Sequence, residues 1–505
     1  MPERPGPAPA TIRPADPVWI GVDLGTQSVR ALAVDGDGHP VAIASRPLRG
    51  TRAGPRHEQD GGAWWELTAD ALAQLSASLG GREVGGLAVC ATSGTVLLTG
   101  PDGAPRTPGL MYDDARAGAL AAEAQQAGAG LWERLGYRVQ PAWALPKLLW
   151  WRDAGLLDGA ARLAHQPDVV TAALVGHPVP SDSSHALKTG YDLIEDRWPA
   201  GILSRLRVDP AVLPPVVRPG TVLGEVCRSA AARTGLAPGT PVVAGMTDGC
   251  AAQLAAGALG VGEWNSVLGT TLTLKGVSAS LPHDPTGAVY SHRAPHGDLW
   301  LPGGASSTGA GAVRALFPGA DLDALTARAA VAAGTGPVPD CYPLVGQGER
   351  FPFVAPQARG FLGDGPLAVS GDEALAFAAV CTGVAYIERL SFEVVAAAGA
   401  DVGGPVAFTG GAARNPWWNQ LRCDVLGTRV RLPSNPEPAL GMAVLAAGSL
   451  SGDIRAAARR MVRVSGTLEP DPARTAALTP AYRSFVARLV ERGWLDPRFA
   501  PEGAG

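Results

Sequence analysis

Apolar and polar positions alternate in short runs through the first fifty residues. "WIGVDL" (19–24), "VRALAVD" (29–35) and "PVAIASR" (40–46) each have the length and composition of a strand. Gly36 to His39, "GDGH", is a tight-turn signal between the second and third, so the pattern predicts an antiparallel meander. The first turn, Gly25, Thr26, Gln27 and Ser28, leads from strand to strand, whereas most phosphate-gripping loops lead from strand to helix. The spacing then becomes helical over "GGAWWELTADALAQLSASL", with Asp60 placed to cap it. "VGGLAVCATSGTVLLTGPDGAP" reads as strand, loop, strand and turn, and "DDARAGALAAEAQQAG" as an alanine-rich helix. This βββαβ order, followed by helices and loops over about 130–215, is an α/β plan.

The pattern then repeats. "TPVVAGMTDGCAAQLAAGAL" runs from strand into helix, and "EWNSVLGTTLTLKGV" is again strand, Gly-Thr-Thr turn, strand. "GDEALAFAAVCTGVAYIERLSFEVVAAAG" predicts a long helix. "PVAFTGGAARNPWWNQLRCDVLG" predicts a strand, a Gly-Gly turn and a helix capped by Asn415 with Pro416 at its first position. "PALGMAVLAAGSL" is a further helix packed through small residues. The expected organisation is a Pro-rich tail over 1–16, a first unit over 17–245, a second over 246–490, and a tail over 491–505.

Composition narrows the partners. A chain of 505 residues has room for two or three cores, and a net charge of -4 with no basic block gives no reason to expect a nucleic acid. Lysine occurs only at Lys147, Lys188 and Lys275; with so much Ala, Gly and Pro, the arginine excess reads as base-composition bias. The six cysteines form no CxxC pair, which argues against a zinc site or a disulfide framework and for a reducing cytoplasm. His292 and His296 are four apart, but Pro295 between them breaks the helix a shared metal would need. No signal peptide and no membrane span are expected.

The chemistry sits at the turns. Gly25–Ser28 and Gly269–Thr271 (through Thr270) offer backbone N–H groups and hydroxyls to an anion and could grip a polyphosphate from two sides. Gly410 and Gly411 let a flat group approach the backbone beside a helix N-terminus. Any one of these could be an ordinary turn; their joint order is what points to a nucleotide. No GxxxxGK[ST] is present. Asp23 ends a buried strand, where a carboxylate needs a magnesium ion or a substrate hydroxyl as partner. Asp248 follows the next apolar run and can be a helix cap, a general base, or both. Thr92, Ser93 and Gly94 could bind a polyol or close a capped turn. Asp113, Asp114 and Arg116 read as a surface ion pair, and the doublets Trp64–Trp65, Trp150–Trp151 and Trp417–Trp418 as core packing.

Taken together, "DLGTQSVRA", "GMTDGCAAQLAAGA", "SVLGTTLTL" and "TGGAARNPWWNQLRCDVLG" resemble the FGGY family of carbohydrate kinases, nearest its D-ribulokinase and xylulokinase-like branch, from about Trp19 to Val490. The resemblance implies a two-domain, actin-like, ribonuclease-H-like α/β fold with duplicated mixed sheets and an interdomain cleft. It implies ATP and Mg²⁺, with phosphate contacts at Gly25, Thr26, Gln27, Ser28, Gly269, Thr270 and Thr271. Gly304, Gly410, Gly411, Ala412, Arg414 and Asn415 correspond to its further nucleotide positions. Asp248 matches its catalytic aspartate; Asp23, Ser93 and Asp248 match its sugar contacts, and Asp23 and Asp248 would meet the metal. "TSGTVLL" stands where xylulokinases usually carry Met-His-Gly, and "SDSSHALKTGYD" is similar to the ribulokinase-like branch. D-ribulose is therefore the expected substrate, with D-xylulose or another polyol as the alternative and an actin-fold sugar-binding regulator as the non-kinase alternative. A cytoplasmic monomer or homodimer without membrane contact is expected.

Overall fold

The computed structural model describes residues 16–369 and 371–500, so the expected tails over 1–15 and 501–505 lie outside the described residues. The first lobe opens with the predicted meander, β1 (Val18–Leu24), β2 (Ser28–Val34) and β3 (Pro40–Pro47), each antiparallel to the next. Helix α1 (Gly61–Ala77) follows, with the Asp60 carboxylate accepting from the Gly62 N–H. Next come β4 (Val84–Ala91), β5 (Val222–Glu225) and β6 (Pro241–Val243). The sheet order is β5-β6-β4-β1-β2-β3, with β4 parallel to both β1 and β6. Val18, Ile20, Val22 and Leu24 bury their side chains in this lobe's core, and α1 covers one face through Trp64, Leu72 and Leu75.

The second lobe repeats the plan. After α2 (Asp248–Ala255) come β7 (Trp264–Leu268), β8 (Leu272–Gly276), β9 (Tyr290–Arg293), β10 (Trp300–Ala305) and β11 (Cys341–Glu349). They are followed by α3 (Glu373–Ala397), β12 (Val406–Thr409), α4 (Pro416–Leu426), β13 (Val430–Pro433), α5 (Pro438–Ser451) and β14 (Val464–Leu468). Its sheet order is β9-β10-β8-β7-β12-β13-β14. In both lobes a hairpin's first strand pairs with its return strand on one side and with a parallel strand on the other. The opening strand-to-strand turn is thus half of a duplicated hairpin. Helix α3 is long and apolar enough to cross a membrane, but 83% of its most apolar stretch is buried in this lobe.

Helix α5 lies between β13 and β14 of the second lobe in sequence yet packs on the first lobe's sheet. A Cβ on Gly21 of β1 would lie 1.7 Å from the Ala439 carbonyl oxygen, and one on Gly441 of α5 would lie 2.0 Å from that of Ala251 in α2. Only hydrogen at these positions lets β1, α5 and α2 stack this closely. The boundary read near residue 245 falls between β6, in the first sheet, and α2, which stacks on α5.

Two local expectations change. The helix read over "DDARAGALAAEAQQAG" begins only at a short 3-10 turn, Gly118–Leu120, and continues as Ala121–Ala127; the acidic pair before it is tied elsewhere, as described below. At the other end, Leu495 is buried and the Trp494 ring lies 5.9 Å from Tyr342, so the chain stays packed past residue 491.

Candidate functional site

Asp23 and Asp248 lie close enough for the charge of Asp248 to act on Asp23. Asp23 sits one residue before the end of β1, where the Cys90 thiol points at its Oδ1 from 3.7 Å. Burial first, then the negative charge of Asp248, pushes its carboxyl up to about 7, with Arg30 opposing and Glu437 adding to the rise. Asp248 is the first residue of α2; Thr247, not Asp248, takes the cap position, and the Asp248 carboxylate accepts from the Gly249 N–H at 2.7 Å. Burial also raises its pKa, against the charges of Lys188, His185 and Lys275. Burial thus leaves both carboxylates with raised proton affinity, and the charge of Asp248 raises that of Asp23 further.

A buried polar network fixes where Asp248 points. Asp182 accepts from the Ser184 hydroxyl at 2.5 Å and pairs with His185 Nδ1 at 2.6 Å. Ser184 in turn accepts from the Thr247 N–H at 2.9 Å, and His185 Nε2 lies 3.3 Å from the Ala91 carbonyl. Ala91 and Thr247 form a parallel bridge, so this network clamps the two strand ends that deliver the site. The resemblance of this segment bore on the sugar alone; its clamping role depends on the contacts to Thr247 and Ala91, 63 and 94 residues away.

The same segment supplies Lys188, whose Nζ donates to the Ser93 carbonyl at 3.2 Å and lies over the rings of Trp143 at 6.0 Å and Tyr290 at 5.8 Å. Burial lowers this ammonium to about 8, against the attraction of Asp248. Ser93 Oγ is buried with no protein partner among the described residues. The Thr92 hydroxyl is committed inward, donating to Gln166 at 2.7 Å. Gly94, at φ +93°, turns the chain against the Lys188 stem. Of the three residues read as polyol contacts, Ser93 is the one with a free hydroxyl. Trp143 and Tyr290, outside the three tryptophan doublets, are the aromatic walls here; each doublet instead buries one member, Trp64, Trp151 or Trp418.

The two glycine turns are built alike. In the first, Gly25 N–H donates to the Ser28 carbonyl, and the carbonyls of Thr26 and Gln27 accept from Gln59 Nε2 at 2.7 Å and Leu48 N–H at 2.8 Å. In the second, Gly269 N–H donates to the Thr271 carbonyl, and the carbonyls of Gly269 and Thr270 accept from Ala310 and Gly311, each at 3.0 Å. Tying carbonyls down from outside suits a turn whose amides meet an anion. A cavity of about 660 Å³ runs from Gly269 and Thr270 to Gly411, Ala412, Arg414 and Asn415. That is the size of a nucleoside site. Asn415 caps α4 by accepting from the Trp418 N–H, as its sequence position implied. Gly410, at φ +85°, packs against the Leu268 backbone, whereas a Cβ on Gly411 would meet nothing. Gly304 does not line this cavity: it pairs with Leu274 inside the sheet and faces the Phe351 ring. Gly309 and Gly311 are the glycines laid against Thr270 and Thr271.

Of the acidic pair before Gly118, Asp113 makes a surface ion pair with Arg52 while Asp114 is not a surface feature. Asp114 is fully buried, accepts from His57 N–H at 2.7 Å and binds the Arg116 guanidinium, which also reaches Glu58. Asp113 pairs with His57 and Arg52. Lys147 Nζ donates to the carbonyls of Gly94 at 2.9 Å and Met111 at 2.6 Å, stitching this segment to the Ser93 loop. Burial lowers Lys147 to about 7, against the pull of Asp114.

These shifts fix a pH signature for the ligand-free protein. Asp23 binds its proton more tightly folded than unfolded, so its contribution to stability falls as pH rises from about 4 to about 7. Lys147 and Lys188 hold theirs less tightly folded, so their contribution rises from about 7 or 8 towards the ordinary lysine value of 10.5. The expected thermal midpoint dips near neutral pH, and Asp23→Asn reduces the fall on the acid side, leaving the part that Asp248 contributes. A scan of midpoint against pH for both proteins checks this; an unchanged acid limb in the variant contradicts it.

A magnesium ion fits the carboxylate pair, since its charge would offset the burial and the Asp248 repulsion that raise Asp23. Among the described residues no cluster of three or more His, Cys, Asp or Glu could hold a metal. Asp23 and Asp248 would therefore share the ion with phosphate oxygens and water, as hard cations in phosphoryl-transfer sites commonly do.

Residues 18–255 match the N-terminal domain and residues 265–450 the C-terminal domain of the FGGY family of carbohydrate kinases. A xylulose kinase of Streptomyces coelicolor is 32% identical over 94% of this chain and 98% of its own. An autoinducer-2 kinase of an Enterobacter species is 27% identical over 90% of each chain. The crystal structure of a xylulose kinase from Rhodospirillum rubrum superposes with a TM-score of 0.85 at 27% identity, covering 95% of this chain and 99% of that one.

Proposed function

Because the chain belongs to the FGGY family of carbohydrate kinases and is an ATP-dependent sugar kinase, we propose that it phosphorylates the terminal hydroxyl of a ketopentose, with D-xylulose the preferred sugar. The likeness along nearly the whole chain to relatives named xylulose kinases carries the choice of sugar. It displaces D-ribulose, the reading drawn from the Ser93 and Lys188 segments, to second place. The free Ser93 hydroxyl, standing where the xylulose-directed branch usually has histidine, keeps D-ribulose as the runner-up.

In the proposed reaction the sugar lies against Ser93, with its terminal hydroxyl toward Asp248. The hydroxyl oxygen attacks the γ-phosphorus, an O–P bond forms, and the bond from that phosphorus to the β-phosphate oxygen breaks to release ADP. Asp248 takes the hydroxyl proton as the bond forms. Thr26 and Gln27 on one turn, and Gly269 and Thr270 on the other, orient the phosphates. Gly411, Ala412, Arg414 and Asn415 hold the nucleoside. Asp23 and Asp248 would bind Mg²⁺, which when bound spreads the charge of the transferring phosphoryl group. The neighbouring ammonium of Lys188 favours the ionised form of Asp248 needed for proton acceptance.

A coupled ADP-release assay over D-xylulose, D-ribulose, L-ribulose, gluconate and glycerol tests this. The expected kcat/KM for D-xylulose exceeds that for D-ribulose by roughly tenfold or more, a ratio that one well-placed polar contact can supply. A preference for D-ribulose restores the second reading; turnover of none of the ketopentoses removes both.

A further inference from the structure

The second glycine turn is not held by its own strands alone. Residues 306–311 run beneath it as a second layer. Leu272 donates to the Thr308 carbonyl at 2.7 Å and accepts from Ser306 N–H at 2.8 Å, and Ala310 and Gly311 donate to the Gly269 and Thr270 carbonyls. Gly309 lacks the Cβ that would sit 2.6 Å from Thr271 Cα. The turn's shape is therefore inherited from this underlying segment.

That segment converges on one carboxylate. Glu349, the last residue of β11, is 3% exposed. Its Oε2 accepts from the hydroxyls of Ser306 at 3.0 Å, Thr308 at 3.2 Å and Tyr342 at 2.9 Å. Its Oε1 accepts from the backbone N–H groups of Ser307 at 2.6 Å, Arg350 at 2.9 Å and Phe351 at 3.5 Å. The Ser306 hydroxyl also accepts from the Thr308 N–H at 2.9 Å. The adjacent Arg350 turns its guanidinium to the Ala305 carbonyl at 2.8 Å, so donors rather than an ion pair meet the buried charge. A carboxylate has about four lone-pair sites, and six donors saturate them. Burying a charge here is costly unless such a set is complete. A core needing only packing would be served better by an apolar residue. The arrangement is a rigid anchor whose output is the position of the turn above it.

We propose that Glu349 is the positioning residue of the Gly269–Thr271 phosphate turn: through Ser306, Ser307 and Thr308 it sets the geometry in which that turn receives the phosphates of ATP. This rests on the reading of the turn as a phosphate site. Glu349 touches no substrate, and the nucleoside end of the cavity, at Ala412 to Asn415, is built from other elements. Its loss should therefore weaken phosphate recognition and spare nucleoside recognition.

The test compares calorimetric affinities for Mg·ATP and for AMP in wild type and Glu349→Gln. The amide keeps the volume; its oxygen can serve the three backbone donors, and two of the three hydroxyls can turn to accept from the two hydrogens of its NH₂. The expected result is a loss of Mg·ATP affinity of at least about tenfold, the worth of weakened charge-assisted bonds. AMP affinity and the KM for the sugar stay within about twofold. If the Gln variant does not fold, Ser306→Ala, which removes one of the three hydroxyls from Glu349 and the acceptor of the Thr308 N–H, should show the same ATP-selective loss. Unchanged Mg·ATP affinity in the variant, or an equal loss for AMP and Mg·ATP, overturns the role of Glu349. A wild type that binds Mg·ATP no more tightly than AMP overturns the phosphate reading of the turn, and the inference with it.

Discussion

An Asp248→Asn enzyme is expected to turn over its sugar roughly 10²–10⁴-fold more slowly than wild type, with ATP affinity within about twofold. Asparagine has the same shape and can still accept from the Gly249 N–H, so the start of α2 stays in place. What it loses is the ability to take a proton and a formal charge toward the metal. The nucleoside cavity lies among Leu268, Ala412 and Asn415 and does not include residue 248, which is why ATP should still bind. Single-turnover rates measured beside ATP titrations separate the two. Near-normal turnover would remove Asp248 from the chemistry; a matching loss of ATP binding would make its role structural.

Gly21→Val should be the most damaging change away from the chemistry. Gly21 lies in β1, whose extended backbone any residue can adopt, so the cost is purely steric. The added Cβ would stand 1.7 Å from the Ala439 oxygen and 2.8 Å from the Ala443 nitrogen, both backbone atoms of a buried helix. Overpacking a core usually costs about 1–3 kcal/mol when side chains can yield. Here a helix must move off a sheet, and a loss above about 4 kcal/mol is expected. In a chain of this size that is a drop in thermal midpoint of at least roughly 4 °C, or a failure to fold. Gly411→Val is the matched control: its Cβ meets nothing, and its midpoint should stay within about 2 °C. Equal midpoints for Gly21→Val and wild type would mean that α5 and β1 are not stacked this tightly.

How much of this was legible in the chain depends on the range of the contacts. The two hairpins, the cap at Asn415 and the long helix α3 were readable because each is decided within about ten residues by period and turn chemistry. Asp23 and Asp248 were readable because a carboxylate closing an apolar run demands a partner. Asp114 was misread as a surface charge because its burial rests on His57, and its partner Arg116 on Glu58, both more than fifty residues earlier. Gly304 was placed beside the nucleotide by resemblance, but strand register turned it to Phe351. Glu349 carried no local signal at all. Its donors come from three separate stretches of chain, and only folding brings them together.

The scarcity of lysine has an outward consequence. Lys147 and Lys275 are buried, and Lys188 stands half-buried behind Ser93, while arginine carries the positive charge of the surface. Guanidinium groups do not acylate under conditions where a neutral amine does. The outer face therefore offers no ε-amine to acyl phosphates, thioesters or activated-ester labels. The ε-amine best placed to meet a reagent is that of Lys188, behind Ser93, a nitrogen whose proton is already loosened. Under the proposed function, acylation of a lysine in this enzyme would therefore fall beside the sugar and compete with it.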